Sequence, residues 1–346
     1  MVKAFIYGAS GYTGQELIRI LSRHPACKLT AITSRRYEGK KVSDLFPHLK
    51  GYSELSFINT TPEKLASKGD VAFLAVPHGV SMSVAGIFLD HGLKVIDLSA
   101  DFRLRKADVY AQWYKSHEAP ELIPHAVYGL PELYRDQIRH SKLIANPGCY
   151  PTSIILGLAP LLKEKWVDPH AIIVDSKSGV SGAGREPVVS SLFCEVGEAF
   201  KAYKVGGSHR HIPEIEQELS HLAGEDLRIT FTPHLLPVSR GILSTIYLKP
   251  KKSITRQDLV DLYREFYRDA AFVRICPPDQ TPNISDVKGS NFCDLGFALD
   301  KRTNRILVFS AIDNLIKGAA GQAVQNMNIM FDLGERAGLD LVPLYP

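Results

Sequence analysis

Residues 2–7 form a largely apolar run, interrupted only by Lys3 and followed by Gly8. A stretch with Leu17, Ile18 and Leu21 on one helical face follows it. This pairing recurs. Apolar runs at 29–33, 70–76, 94–98 and 142–145 each end in polar or turn-forming residues, and helical patterns follow at 80–89 and 153–159. Residues 106–117 read as a solvent-facing helix, and 128–133 as a turn-rich segment. Strands that are apolar throughout, rather than alternating, are buried on both faces. Joined by helices, they predict an α/β fold with a Rossmann-type doubly wound parallel sheet.

The pattern changes after residue 160. Residues 171–178 read as a strand entering a glycine- and serine-rich loop at 179–185. Residues 228–238 and 241–248 read as a long antiparallel pair joined through Ser239 and Arg240. A helix is expected at 256–269, with strands at 291–298 and 305–312. These elements predict an inserted α+β domain whose mixed, largely antiparallel sheet has a face able to pack on a partner subunit. The small residues of 313–328 open a helix expected to return to the first domain. The expected division is 1–149 with 318–346 for cofactor binding, and 150–317 for catalysis and oligomerisation.

Composition narrows the functional classes. A chain of 346 residues with 45% apolar and 23% charged residues suits a globular protein of two domains. A net charge of +4 suits anionic small substrates and is no footprint for nucleic acid. The five cysteines lack CxxC spacing, which argues against a zinc site and a disulfide framework and for a reducing compartment. No leader or membrane-spanning run precedes the first strand, so a cytoplasmic location away from membranes is expected.

The candidate chemistry sits at the ends of the predicted strands. Gly8, Ser10, Gly11, Tyr12, Thr13 and Gly14 make a G-x-x-G-x-x-G turn between the first strand and helix. The first glycine permits the turn, the second admits a pyrophosphate, and the third allows close packing. Ser34, Arg35 and Arg36 end the second strand, where an acidic residue would favour NAD. A hydroxyl and two guanidiniums suit a ribose phosphate, and so NADP. Pro77, His78, Ser99, Asp101 and Arg103 lie at carboxyl ends of strands, the binding edge of such sheets. Arg103 suits a substrate anion or an ion pair with Asp101. Asn146-Pro147-Gly148-Cys149 places a thiol near a helix N-terminus, where its thiolate is stabilised. Ser181, Gly182 and Arg185 belong to a loop suited to an anion. His209 and His211 precede a helix that Pro213 starts, and one of them suits a general acid/base paired with the thiol. No further ligands cluster near them for a metal.

Taken in order, these motifs resemble the N-acetyl-gamma-glutamyl-phosphate reductase family of arginine biosynthesis over essentially the whole chain. The set includes Asp97-to-Arg103, Tyr128-Gly129-Leu130-Pro131-Glu132, Asn146-to-Thr152, Ser178-to-Arg185, His209-to-Glu214 and Asp313-to-Asn326. That family is related to the aspartate-semialdehyde dehydrogenases. The resemblance implies NADP(H), a catalytic cysteine at Cys149, a catalytic histidine at His209 or His211, and a homo-oligomer, dimer or tetramer. It brings Asn314 and Asn326 into the candidate cofactor contacts. Asn146, Arg103, Arg185, Arg210 and Arg240 become candidate substrate contacts. The expected substrate is an acyl phosphate reduced to a semialdehyde, with inorganic phosphate released. Carrier-linked aminoadipyl phosphate, aspartyl phosphate and a non-catalytic NADP sensor are the competing readings.

Overall fold

The first apolar run is β1 (Val2–Tyr7), and it lies inside a parallel sheet of seven strands. The structure is a computed structural model and describes residues 1–345. The other strands of this sheet are β2 (Cys27–Thr33), β3 (Phe57–Ile58), β4 (Val71–Leu74), β5 (Lys94–Asp97), β6 (Ala126–Tyr128) and β7 (Leu143–Ala145). Their order is β3-β2-β1-β4-β5-β7-β6, and every pair is parallel. Helices α1 (Tyr12–Leu21), α2 (Val42–Leu45), α3 (Pro62–Ala66), α4 (Ser81–Asp90), α5 (Ala107–Trp113) and α6 (Pro131–His140) connect the strands. The strand order reverses between β1 and β4, which is the switch point where such sheets bind ligands. Gly8 ends β1 there with φ +91°, and a Cβ on it would stand 2.5 Å from Val76 Cγ1. Only glycine tolerates both the conformation and the contact.

Three details of this sheet differ from the sequence pattern. β3 has two residues, too few for any periodicity to register. The segment at 128–133 contains the end of β6 and the start of α6, because Pro131 opens a helix as well as closing a turn. Helix α5 does not simply face solvent. Tyr110 is fully buried, and its hydroxyl donates to Asp101 Oδ1 at 2.8 Å.

A second set of strands forms a mixed sheet: β8 (Ile173–Gly179), β9 (Lys201–Ala202), β10 (Thr230–Leu236), β11 (Ile242–Leu248), β12 (Val273–Ile275), β13 (Cys293–Asp300) and β14 (Arg305–Ile312). Its order is β12-β13-β14-β11-β8-β10-β9. Helices α7 (Cys149–Lys163), α8 (Phe193–Val196), α9 (Ile212–Ala223) and α10 (Arg256–Phe266) accompany it. The expected pairing of 228–238 with 241–248 does not form. β8 lies between β10 and β11, parallel to the first and antiparallel to the second. The connecting residues step across the end of β8, where Gly179 N–H donates to Gly241 O and Val180 N–H to Val238 O. A Cβ on Gly179 would stand 2.7 Å from Arg240 N, so glycine lets the chain cross. Two strand spacings are about 10 Å, which a link of a few residues spans. Periodicity shows that two strands follow one another, not what lies between them.

Helix α7 carries Pro160 in its interior. Proline has no N–H, so the carbonyl of Leu156, four residues earlier, loses its helical donor. Tyr267 supplies the missing bond, its hydroxyl donating to Leu156 O at 2.6 Å. Tyr263 adds a hydroxyl donor to the neighbouring Gly157 O. The last helix, α11 (Gly321–Met330), follows a π turn at Ile316–Ala320 and packs on α1 and α6. All ten of its residues are buried. Its polar side chains are spent on internal bonds, such as Asn328 to Glu335 O, Ala337 O and His24.

By packing, the chain therefore divides into two units. One comprises Met1–Gly148 and Ala319–Leu341, and the other comprises Cys149–Gly318 with the stretch that begins at Val342. Among the described residues no helix is long and apolar enough to cross a membrane. Tyr267→Phe leaves a buried carbonyl unpaired inside α7. It should cost about 1–3 kcal/mol, read as a lower urea midpoint with an unchanged m-value.

Candidate active site

In the first unit, a cleft of about 710 Å³ opens at the switch point. Gly8, Ser10, Ser34, Arg35, Arg36 and Pro77 line it, so the glycine turn and the basic end of β2 share one cavity. Gly11 precedes α1, and nothing lies within 4 Å of where its Cβ would stand. The first turn of α1, which contains Tyr12, Thr13 and Gly14, has no side-chain cap and no acidic residue. Its backbone N–H groups and the helix dipole therefore suit a pyrophosphate. Gly14 serves packing, since its Cβ would fall 2.5 Å from Ala9 O. Thr33 ties the turn to β2 by accepting Gly8 N–H at its hydroxyl (2.9 Å) and Ala9 N–H at its carbonyl (2.9 Å). Asn59, Thr60 and Thr61 also line the cleft, and sequence reasoning missed them. Their signal was weak because they follow the two-residue β3. Thr61 Oγ1 accepting Lys64 N–H, the start of α3, is the trace they leave.

Several nominated residues in this unit hold the scaffold. Ser99 donates to the buried Asp97 from both its hydroxyl and its N–H, each at 2.9 Å. Asp101 accepts Gly79 N–H (2.7 Å) and Met82 N–H (3.1 Å), so it caps the start of α4 from a distance. Burial, then Asp101 beside it, pushes the Asp97 carboxyl up to about 6. His78 is exposed, and its Nδ1 accepts Ala100 N–H at 3.0 Å. Arg103 is buried and donates to Asn146 O (2.8 Å) and Leu98 O (2.9 Å). Asn146 donates to Ala319 O and accepts from Asn326, which also donates to Gly129 O. Arg103, Asn146 and Asn326 thus meet around the turn that follows β7.

In the second unit, Cys149 is the first residue of α7 and is half-buried. No acidic residue lies in the first turn, so the helix dipole acts on the thiol unopposed there. The backbone of Gly318 presses against it, and a Cβ on Gly318 would stand 2.7 Å from Cys149 Cβ. The next residue, Tyr150, is buried at the centre of an aromatic cluster. Its ring meets those of His209 (5.5 Å), His211 (5.9 Å) and Phe231 (5.3 Å) edge-on. His209 and His211 are 4.9 Å apart, centroid to centroid. The structure therefore brings together the neighbour of Cys149 and both nominated histidines.

The two rings are not equivalent. His209 is buried, and its Nδ1 accepts His211 N–H at 3.1 Å, which leaves the neutral ring's proton on Nε2. Burial, with Lys204 and Arg210 nearby, pushes His209 down to about 4. At neutral pH it is an uncharged donor. His211 is half-buried at the start of α9.

The loop at 179–185 is ordered by a 3₁₀ turn at Val180–Ala183. Asn314 pins it, donating to Ser181 Oγ (3.0 Å) while accepting Gly241 N–H (2.7 Å). Gly182 and Arg210 are exposed and Arg185 half-exposed. Arg240 pairs with the buried Asp313 at 3.5 Å.

The chain matches two family models. Residues 3–141 match "Semialdehyde dehydrogenase, NAD binding domain", and 149–314 match "Semialdehyde dehydrogenase, dimerisation domain". It is 57% identical to the N-acetyl-gamma-glutamyl-phosphate reductases of Citrifermentans bemidjiense and Desulfotalea psychrophila, over the full length of both partners. The enzyme of that name from Syntrophobacter fumaroxidans is 52% identical, again end to end. The chain belongs to the N-acetyl-gamma-glutamyl-phosphate reductase family. The reductase shares its fold with aspartate semialdehyde dehydrogenase II of Vibrio cholerae (TM-score 0.73, 18% identity, 96% of this chain and 99% of that one). A second match in fold is the Candida albicans aspartate semialdehyde dehydrogenase solved with NADP (TM-score 0.71, 17% identity, 96% and 99%).

Two outcomes follow for the reductase. Arg35→Ala with Arg36→Ala should weaken NADPH binding about 10–100-fold and leave NADH binding nearly unchanged, measured by fluorescence titration. The second outcome concerns pH. His209 binds its proton less readily folded than unfolded, so its contribution is complete above about pH 6.5 and is lost as pH falls toward 4. About 3 kcal/mol is at stake. His209→Asn should flatten the pH dependence of the unfolding midpoint in that window.

Proposed function

We propose that this chain reduces N-acetyl-L-glutamyl 5-phosphate to N-acetyl-L-glutamate 5-semialdehyde with release of inorganic phosphate, using NADPH. The observation that carries the reading is Cys149 at the head of α7, with Tyr150 bridging to the His209–His211 pair. The open glycine turn, the uncapped start of α1 and the Ser34-Arg35-Arg36 rim fit the dinucleotide and its ribose phosphate. When bound, NADPH supplies the hydride.

His211 takes the Cys149 proton, and the thiolate attacks the acyl carbon. The bond from that carbon to the phosphate oxygen breaks, and the proton leaves with the phosphate. A thioester on Cys149 remains. Once it is reduced, the tetrahedral adduct collapses, the carbon–sulfur bond breaks, the aldehyde departs, and His211 returns a proton from solvent to the thiolate. His209, held neutral with its proton on Nε2, donates a hydrogen bond to the developing oxyanion. N–H groups of the first turn of α7 assist it. Arg185 and Arg210 are the arginines accessible to substrate anions. Arg103 and Arg240 support the site through Asn146 O and Asp313. The second unit is proposed to self-associate as a homo-oligomer and the protein to be cytoplasmic; the dimerisation-domain match and the scattered cysteines, none of them in a disulfide, support this reading.

Phosphate-dependent NADP reduction should proceed with N-acetylglutamate semialdehyde and be at least about a hundredfold slower with aspartate semialdehyde. Cys149→Ser should abolish turnover while NADP still binds, and His211→Asn should cost more in kcat than His209→Asn. Near-normal turnover by Cys149→Ser would remove the nucleophile from this scheme.

A further inference from the structure

The proposed chemistry needs the His209–His211 segment to stay registered on the head of α7. Those residues lie on separate stretches of chain, about sixty apart in sequence. The helix offers Tyr150, next to the nucleophile and buried. The segment before His209 offers Tyr203, half-buried. Their hydroxyls are 3.0 Å apart, a hydrogen bond with one phenol donating to the other.

Tyr203 is itself well fixed. Its N–H donates to Pro233 O at 3.1 Å, just beyond the short strand β9 that pairs with β10. Its ring meets His209 edge-on at 5.7 Å. The chain then turns through Lys204, Gly206 and Gly207, all at positive φ, before reaching His209. This stretch has little regular backbone pairing of its own. Among the contacts that locate it are the rings of Tyr150, Tyr203 and Phe231 around His209, and the phenol pair. Tyr150 also engages Ser178 at the end of β8, so it joins three parts of the site. Both phenols feel the Cys149 thiolate, which helps burial keep Tyr203 protonated, up to about 12. A protonated phenol remains a hydrogen-bond donor across the working pH range.

We propose that Tyr203 is a positioning residue for the reaction, its hydrogen bond with Tyr150 holding the His209–His211 segment in register with Cys149. This rests on the assignment of Cys149 and the histidine pair above. Tyr203→Phe keeps the ring and its packing on His209 and removes one hydroxyl. Tyr150→Phe removes the other from the helix side.

The experiment measures kcat, KM and NADPH affinity for both single variants and the double variant, with Cys149→Ser as reference. Each single variant should lose about tenfold or more in kcat, with KM and NADPH affinity within about twofold. The double variant should be no slower than the worse single, because one shared bond is lost once. Wild-type kcat in Tyr203→Phe overturns the proposal. So do losses that multiply in the double variant, or losses that follow the folded fraction in a thermal melt. Should Cys149→Ser stay active, the scheme for the nucleophile fails. Should it be inactive while Tyr203→Phe is unaffected, only the positioning role fails.

Discussion

Where Cys149 stands depends on how closely α7 lies on the second sheet. Cys149, Ser153 and Gly157 recur every four residues, so they share one face of the helix. Each is small, and each meets something close. Gly318 backbone abuts Cys149, Ser153 bonds to Ser244 (2.9 Å) and Ser310 (3.1 Å), and a Cβ on Gly157 would stand 3.0 Å from Ile246 Cδ1. Ser176 extends the hydroxyl row to Ser244 at 2.7 Å. These serines are fully buried. Unlike apolar contacts, hydroxyls have directional partners, so a helix resting on them has one depth and one register. The same helix tolerates Pro160 because Tyr267, just after α10, donates to the Leu156 carbonyl that the proline frees.

The first unit meets the same demand by other means. The turn after β7 is enclosed by amides and one guanidinium rather than by packing alone. Asn146 N–H donates to Asp97 O, Arg103 holds Asn146 O, and Asn326 bridges Asn146 to Gly129 O. Gly129 is required there, since its Cβ would fall 2.6 Å from Asn326 Nδ2. Motifs far apart in sequence are thereby one hydrogen-bonded body. This explains why their residue types read as ligand contacts. An Arg or Asn that satisfies a buried carbonyl has the same chemistry as one that holds a substrate.

That ambiguity marks the limit of what the sequence discloses. The parallel sheet was legible because most of its strands lie in largely apolar runs, and the glycine turn because Gly8 and Gly14 each answer a steric demand. Cys149 was legible from its turn and helix. What was not legible depends on neighbours remote in sequence. β8 slots between two strands that follow one another, and Tyr110 turns inward because Asp101 waits for its hydroxyl. The distinction between His209 and His211 also came from the fold. One backbone N–H and the burial of one ring decide it, and both rings carry the same letter in the sequence.

The proposed roles of the histidine pair give a reason for two rings where one base would serve. A ring with its proton fixed on Nε2 and its pKa driven down to about 4 is a poor base, since it holds an added proton weakly near neutral pH. It is a good neutral donor, because it neither charges up nor rotates while Nδ1 is tied to His211 N–H. His211, at the start of α9, is less enclosed. Under the proposed mechanism, dividing the work would let the acid/base cycle through both charge states while the oxyanion donor stays constant. Lys204 and Arg210 reinforce this division by opposing a positive charge on His209. Burial and these two cations thus hold the imidazole in its neutral form.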